Sequence, residues 1–225
     1  MPVEPPPTPW DLASARMDVA DDLVAVGADL EPGTILSAYR LGLFPMGLGA
    51  HGRAPIGWWG PVRRGVLLRD DLHVSRSLRR SLRRFHVTVD TCFDDVVDGC
   101  ADPARTGRWI TGDVHRAYRR LHDLGWAHSI EVWESGHLVG GLYGIAVGGL
   151  FAGESMYHRA TDASKAAVHA LHELVYADGD AGRIIDVQWK TPHLATLGVR
   201  EMPRPAYLSA LPTALGLGLP EAFAT

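Results

Sequence analysis

Hydrophobic and polar positions follow two different periods along this chain. From Ala127 the period is two, with Ser129, Glu131 and Trp133 on one face of a strand and Ile130 and Val132 on the other. Ser135-Gly136 then makes a turn, and His137 to Val147 and Gly149 to Ser155 read as two more strands joined at Gly148-Gly149. Val66 to Leu68, His86 to Asp90 and Ile184 to Trp189 read as shorter strands. The period becomes helical from Arg76 to about Arg84, where Leu78, Leu82 and Phe85 line one face and Ser75 stands ready as a cap. Phe93 to Cys100 and Asp113 to Leu124 read as helices, the second ended by Gly125. Thr161 or Asp162 caps a long helix to about Ala177, with Ala163, Ala167, Ala170, Leu171, Leu174 and Val175 as its buried stripe.

Patterning is weaker near the N-terminus. Pro2 to Pro9 reads as a solvated extended tail. Pro32-Gly33 introduces a short helix, Thr34 to Leu41, with Thr34 as cap and Gly42 as stop. Leu43 to Met46 is an apolar turn, Gly47 to Gly52 a glycine-rich loop, and Ile56 to Pro61 a short aromatic stretch. The composition changes near Pro61, which predicts a flexible Pro-rich tail over 1–22, a small N-terminal domain over 23–61 and a larger domain over 62–225. Pro203 to Leu211 is a short terminal element, and the fold class is α+β with a mainly antiparallel sheet.

Composition narrows the classes. The 225 residues are 46% hydrophobic and 21% charged, so the chain is not a disordered one. Its net charge of −4 excludes a protein that is basic all over, so any nucleic-acid contact needs a local basic patch. Cys92 and Cys100 form neither a metal pair nor a disulfide framework. The start of the chain lacks an apolar secretory run, and the uncharged stretch Leu138 to Gly153 is too short and too rich in glycine for a membrane span, so a soluble cytoplasmic protein is expected.

Candidate chemistry is sparse by motif alone. His169 and His172 share a helix face, but no spacing rule supplies a third metal ligand. Gly153-Glu154-Ser155-Met156-Tyr157 lacks the second glycine of a nucleophile elbow. Arg76, Arg79, Arg80, Arg83 and Arg84 gather opposite the apolar face of their helix, and read either as a phosphate-binding stripe or as a solvated face balanced by Asp70 and Asp71. Trp58, Trp59 and Trp109 are either base-stacking rings or plugs in a core. Asp186 and Gln188, two apart on a strand, project to one side and can converge on one substrate; the alternative is an ordinary half-exposed strand.

Taken in order, several segments resemble one family. Ala38-Tyr39-Arg40-Leu41-Gly42-Leu43-Phe44-Pro45-Met46, Trp58-Trp59-Gly60-Pro61, Trp109-Ile110-Thr111, Gly153-Glu154-Ser155-Met156-Tyr157, Ala163-Ser164-Lys165 and Ile185-Asp186-Val187-Gln188 look like the leucyl/phenylalanyl-tRNA–protein transferases, with a likeness running from about Leu23 to Leu211. The resemblance implies an acetyltransferase-like (GNAT-like) larger domain and a small N-terminal α/β domain. It implies transfer of Leu or Phe, less readily Met, from aminoacyl-tRNA to the N-terminal Arg or Lys of a protein, creating a degradation signal. By resemblance Tyr39, Met46, Trp109 and Phe151 contact the aminoacyl-adenosine, and Leu142, Met156, Val168 and Ile185 line the amino-acid side-chain pocket. Asp186, oriented by Gln188, holds the attacking amine, Glu154 holds the acceptor, and Arg76, Arg80, Arg83 and Arg84 meet tRNA phosphates. No metal or organic cofactor is implied, and a monomer without membrane contact is expected. Two other readings compete. A CoA-dependent acetyltransferase needs a glycine-rich phosphate loop, which Arg159-Ala160-Thr161-Asp162 does not provide, and a non-catalytic tRNA or N-degron binding module does not need Asp186 and Gln188.

Overall fold

The computed structural model describes residues 1–15, 17–104 and 109–224. Two sheets form. Strands β1 (Leu23–Val26), β2 (Phe44–Gly47) and β3 (Ile56–Trp59) make a small antiparallel sheet in the order β1-β3-β2. A seven-stranded sheet contains β4 (Arg63–Leu67), β5 (His86–Val89), β6 (Ala127–Glu134), β7 (His137–Val147), β8 (Leu150–His158), β9 (Ile184–Gln188) and β10 (Arg200–Pro203), in the order β10-β4-β9-β8-β7-β6-β5. Its pairs are antiparallel apart from β8 and β9, which run parallel. The mainly antiparallel α+β architecture expected from the periodicity is therefore observed.

Helices cover both faces of the large sheet, as strand alternation demands. Leu142 and Ala146 of β7, with Ile130 and Val132 of β6, pack into the core under α2 (Arg76–Leu82) and α5 (Ala163–Val175). Tyr143, Ile145 and Val147 point the other way, into the core under α1 (Pro32–Arg40), α3 (Phe93–Ala101) and α4 (Gly112–Asp123). The β7–β8 turn sits at Gly148-Gly149, where Gly148 adopts φ +59°, a conformation open to glycine at little cost. Two short helices, α6 (Pro192–Ala195) and α7 (Arg204–Leu215), complete the chain.

Several local expectations need correction. The Thr34 hydroxyl does not cap α1; Pro32 opens that helix behind Glu31, and Thr34 Oγ1 meets Thr8 Oγ1 at 2.8 Å. Asp162 precedes α5 in a left-handed conformation without capping it, because its carboxylate accepts from Ser81 Oγ at 2.8 Å. Pro2 to Pro9 is not left in solvent. The Val3 N–H donates to the Leu124 carbonyl, Trp126 Nε1 donates to the Val3 carbonyl, and Glu4 pairs with Arg40. Gly33 permits this docking, since a Cβ there would lie 2.0 Å from the Pro6 carbonyl oxygen.

Candidate active site

A cavity of about 400 Å³ opens between the two sheets and α5. Its wall includes Met46 of β2, Trp109, Leu142 of β7, Met156 of β8, Val168 of α5 and Ile185 of β9, six of the residues expected there. Phe44, Leu171 and Leu194 extend the apolar lining, and Glu154 and Gln188 supply polar side chains. Of the three tryptophans, Trp109 alone lines the cavity; Trp58 is 1% exposed in the small-sheet core, and Trp59 lies edge-on to Trp189 at 5.9 Å.

Three expected residues stand elsewhere. Phe151 is buried in the α5-side core, 5.2 Å from the Phe223 ring, so it touches no ligand in this cavity. Tyr39 lies behind Glu154 and reaches the cavity only through it. Asp186 is wholly buried and does not line the cavity. Its carboxylate receives Arg64 Nε at 2.8 and 2.9 Å, Arg64 Nη2 at 2.5 Å, the Tyr207 hydroxyl at 2.8 Å and the Gln188 backbone N–H at 2.9 Å. Those contacts occupy its lone pairs. The two-residue spacing failed to bring Asp186 and Gln188 out together because β9 ends there. Gln188 takes φ +59°, and Trp189 N–H turns back to the Val187 carbonyl at 2.7 Å. This γ-turn with positive φ is a rare and strained form, and the Asp186 carboxylate pins its central N–H.

Arg64, wedged between the rings of Phe44 and Tyr207, also donates to the Gly42 carbonyl at 3.0 Å. One ion pair thus ties β9, β4 and the small sheet together behind the cavity. Sequence reasoning assigned no role to Arg64 or Tyr118, and only a fold can bring Arg64 to Asp186, 122 positions away. Tyr118 sits on the apolar face of α4 with Val114, Ala117 and Leu121, where a tyrosine passes for core.

Glu154 owes its orientation to a β-bulge. Tyr143 pairs with Ser155 and Gly144 with Gly153, so Glu154 is the extra residue of β8. Its carboxyl meets the Tyr39 hydroxyl at 2.5 Å, the Tyr118 hydroxyl at 2.8 Å and Gln188 Nε2 at 3.4 Å. The two tyrosine oxygens are themselves 2.8 Å apart. These oxygens close a triangle, yet two tyrosines bring only two protons, so all three contacts are hydrogen bonds together only when Glu154 carries a proton. Burial, the largest influence, raises this carboxyl and the Asp186 charge adds to it, the tyrosine hydrogen bonds and Arg64 oppose them, and the balance leaves it at about 7.

On α2 and the turn that follows it, Arg76, Arg79, Arg80, Arg83 and Arg84 are all exposed. Asp70 and Asp71 do not balance them, being engaged by Arg69 and Arg200. Arg84 pairs with Glu134 at 3.3 Å, whereas Arg76, Arg80 and Arg83 have no carboxylate partner among the described residues. His172 turns Nε2 to the Arg69 carbonyl at 2.9 Å, and no cluster of three or more His, Cys, Asp or Glu is arranged for a metal among the described residues. No helix there is long and apolar enough to cross a membrane.

Comparison with known proteins agrees with this geometry. Residues 28–62 match the leucyl/phenylalanyl-tRNA protein transferase N-terminal domain, and residues 66–212 match the leucyl/phenylalanyl-tRNA protein transferase family. The leucyl/phenylalanyl-tRNA–protein transferase of Stutzerimonas stutzeri is 49% identical over 84% of this chain and 83% of its own length. That of Pectobacterium atrosepticum is 47% identical over 87% and 82%. Among solved structures, a ribosomal-protein-alanine N-acetyltransferase from Brucella melitensis is 17% identical over 49% of this chain and 81% of its own, at a TM-score of 0.34. Matched in both halves, and nearly half identical to relatives along most of its length, the chain belongs to the leucyl/phenylalanyl-tRNA–protein transferase family.

Proposed function

We propose that this protein moves leucine or phenylalanine, and less readily methionine, from aminoacyl-tRNA to the N-terminal arginine or lysine of an acceptor protein in the cytoplasm, creating a degradation signal. The observation that carries this reading is the cavity itself, in which an apolar pocket adjoins an amide and a carboxyl. Leu142, Met156, Val168 and Ile185 take the donor side chain. Such a pocket separates side chains differing by one methylene by only ~1–3 kcal/mol, which fits several accepted donors. Trp109 and the Met46 thioether pack against the terminal adenosine.

The reaction is aminolysis of an ester. The acceptor nitrogen bonds to the aminoacyl carbonyl carbon, the bond from that carbon to the ribose oxygen breaks, and one proton passes from the amine to that oxygen. An α-amine with a pKa of ~7.7–8.0 is partly neutral at pH 7, so positioning matters more than a strong base. Gln188 turns its NH2 toward Glu154, which leaves its amide oxygen to accept from the attacking amine. Asp186 acts through Gln188 rather than on the amine, as its own lone pairs are taken. Glu154 receives the acceptor's cationic side chain and gives up its proton as that cation arrives.

The exposed arginines of α2 and the turn after it, Arg84 with its Glu134 partner included, take tRNA phosphates, an interaction indifferent to sequence. Reversal of Arg80, Arg83 and Arg84 to glutamate weakens tRNA binding and flattens its salt dependence, the slope falling by about one unit for each phosphate no longer neutralised; unchanged slopes remove this face from the interface.

Incubation with leucyl-tRNA and an arginine-started peptide tests the whole reading, with acetyl-CoA as control donor. A new Leu–Arg peptide bond is expected, with no acetylation. Acetyl transfer without leucyl transfer overturns it.

A further inference from the structure

The parallel ladder between β8 and β9 stops early. It pairs Leu150 with Ile184, Phe151 with Ile185 and Ala152 with Asp186, and goes no further. The next rung of a parallel pair would run from the Gln188 N–H to the Gly153 carbonyl. That N–H instead donates to Asp186 Oδ1 at 2.9 Å, and the Val187 carbonyl is taken by Trp189 N–H at 2.7 Å. β9 therefore satisfies its own end, and the two strands fork. On the β8 side the Gly153 carbonyl lacks its rung, in the wall of the cavity. The sheet face over this point is open as well: a Cβ at Gly153 would meet nothing nearer than the Asp186 carbonyl oxygen at 3.8 Å.

We propose that the acceptor polypeptide enters this fork as a short strand, donating one backbone N–H to the Gly153 carbonyl in place of Gln188, an assignment that rests on the aminoacyl-transfer function proposed above. An extended chain is the occupant that fits, because the vacancy is one rung of a β-ladder and the cavity already receives the chain's first residue. The contact uses main chain only, so it recognises any polypeptide regardless of the residues after the first. It also gives the Asp186–Gln188 contact a purpose beyond holding a side chain: by capturing the N–H that would zip β9 onto β8, it keeps the fork open.

Strand pairing sends alternate N–H groups to opposite edges. Arginine-started peptides carrying a single amide-to-ester replacement at residue 2 or at residue 3 therefore read the contact without adding bulk. One of the two positions should lower kcat/KM about fivefold, in line with the loss of one backbone hydrogen bond, and the other should leave it within twofold. Gly153→Val, whose side chain would stand over the mouth of the fork on the cavity face, should raise KM for the acceptor with tRNA binding unchanged. Both esters acting like the parent peptide, or Gly153→Val disturbing only tRNA binding, overturns the strand while the transfer reaction stands. Absence of transfer to the unmodified peptide overturns the function itself and this inference with it.

Discussion

Two carboxyl groups bracket Gln188, and their surroundings could hardly differ more. Asp186 is sealed behind the cavity against a guanidinium, with a phenol and a backbone N–H completing its contacts. Glu154 faces two phenols and an amide, with no cation in hydrogen-bond contact among the described residues, and its carboxyl is raised, chiefly by burial, to about 7. The same functional group thus serves once as an ion-pair partner that holds architecture and once, in the function proposed above, as a proton carrier that meets the acceptor. Residue type says little about role here; the partner decides it.

The largest test removes the anion. Asp186→Ala leaves Arg64 charged and buried without its partner, and should cost about 3–5 kcal/mol of stability in urea melts at pH 7. Joint replacement, Arg64→Met with Asp186→Leu, should recover much of that, because a buried pair is little better than packed apolar side chains. A cost below about 1 kcal/mol for Asp186→Ala would mean that the pair is not sealed, and the contrast with Glu154 would collapse.

The next test exploits the proton on Glu154. Its carboxyl is raised from an ordinary 4.5 to about 7 in the folded protein. Between those values the native state holds a proton that the unfolded chain has lost, so stability falls as pH rises. At 1.36 kcal/mol per pKa unit the full loss is about 3 kcal/mol, complete once the pH passes about 7. Glu154→Gln should remove that slope from melts taken between pH 4.5 and 8. Tyr118→Phe should sharpen it, since the Tyr118 hydroxyl hydrogen bond lowers the Glu154 value and its loss lifts the midpoint further. A wild-type slope of zero would make Glu154 a second fixed anion.

Much of this frame is legible in the sequence, read by its patterns and by its family resemblance, and the failures have two causes. The long strands around Ser135-Gly136 and Gly148-Gly149 announce themselves by length, eight to eleven residues each, and by the turn residues that bound them. β1, β10 and α6 escape notice because each is four residues long and, unlike the equally short His86–Val89, shows no clear alternation of polar and apolar positions. The cavity wall is readable once motifs are taken together, as Met46, Trp109, Leu142, Met156, Val168 and Ile185 illustrate. What strand periodicity misplaces is Asp186. The two-residue rule assumes a continuing strand, and Gln188 breaks it with φ +59°. Likewise the bulge at Glu154 and the approach of Arg64 depend on pairing partners far along the chain, which local pattern does not encode.

The smallest effect is also the one that joins the two carboxyl groups to the reaction. If Glu154 holds the cationic side chain of the acceptor, binding must drive its proton off. Below pH 7 a dissociation constant linked to one proton falls tenfold for each unit that pH rises, and above it the dependence fades. Acceptor amines also titrate near ~7.7–8.0, so an N-acetylated arginine peptide isolates the Glu154 contribution. Calorimetry of that peptide in two buffers of different ionisation enthalpy should count close to one proton released per site at pH 6 and almost none at pH 8.5. Asp186 is wholly buried in its pair with Arg64 and does not line the cavity, so the count is read from Glu154, and Glu154→Gln should abolish the release. A count that survives Glu154→Gln would assign the proton to another group and leave Glu154 a structural partner of the tyrosines.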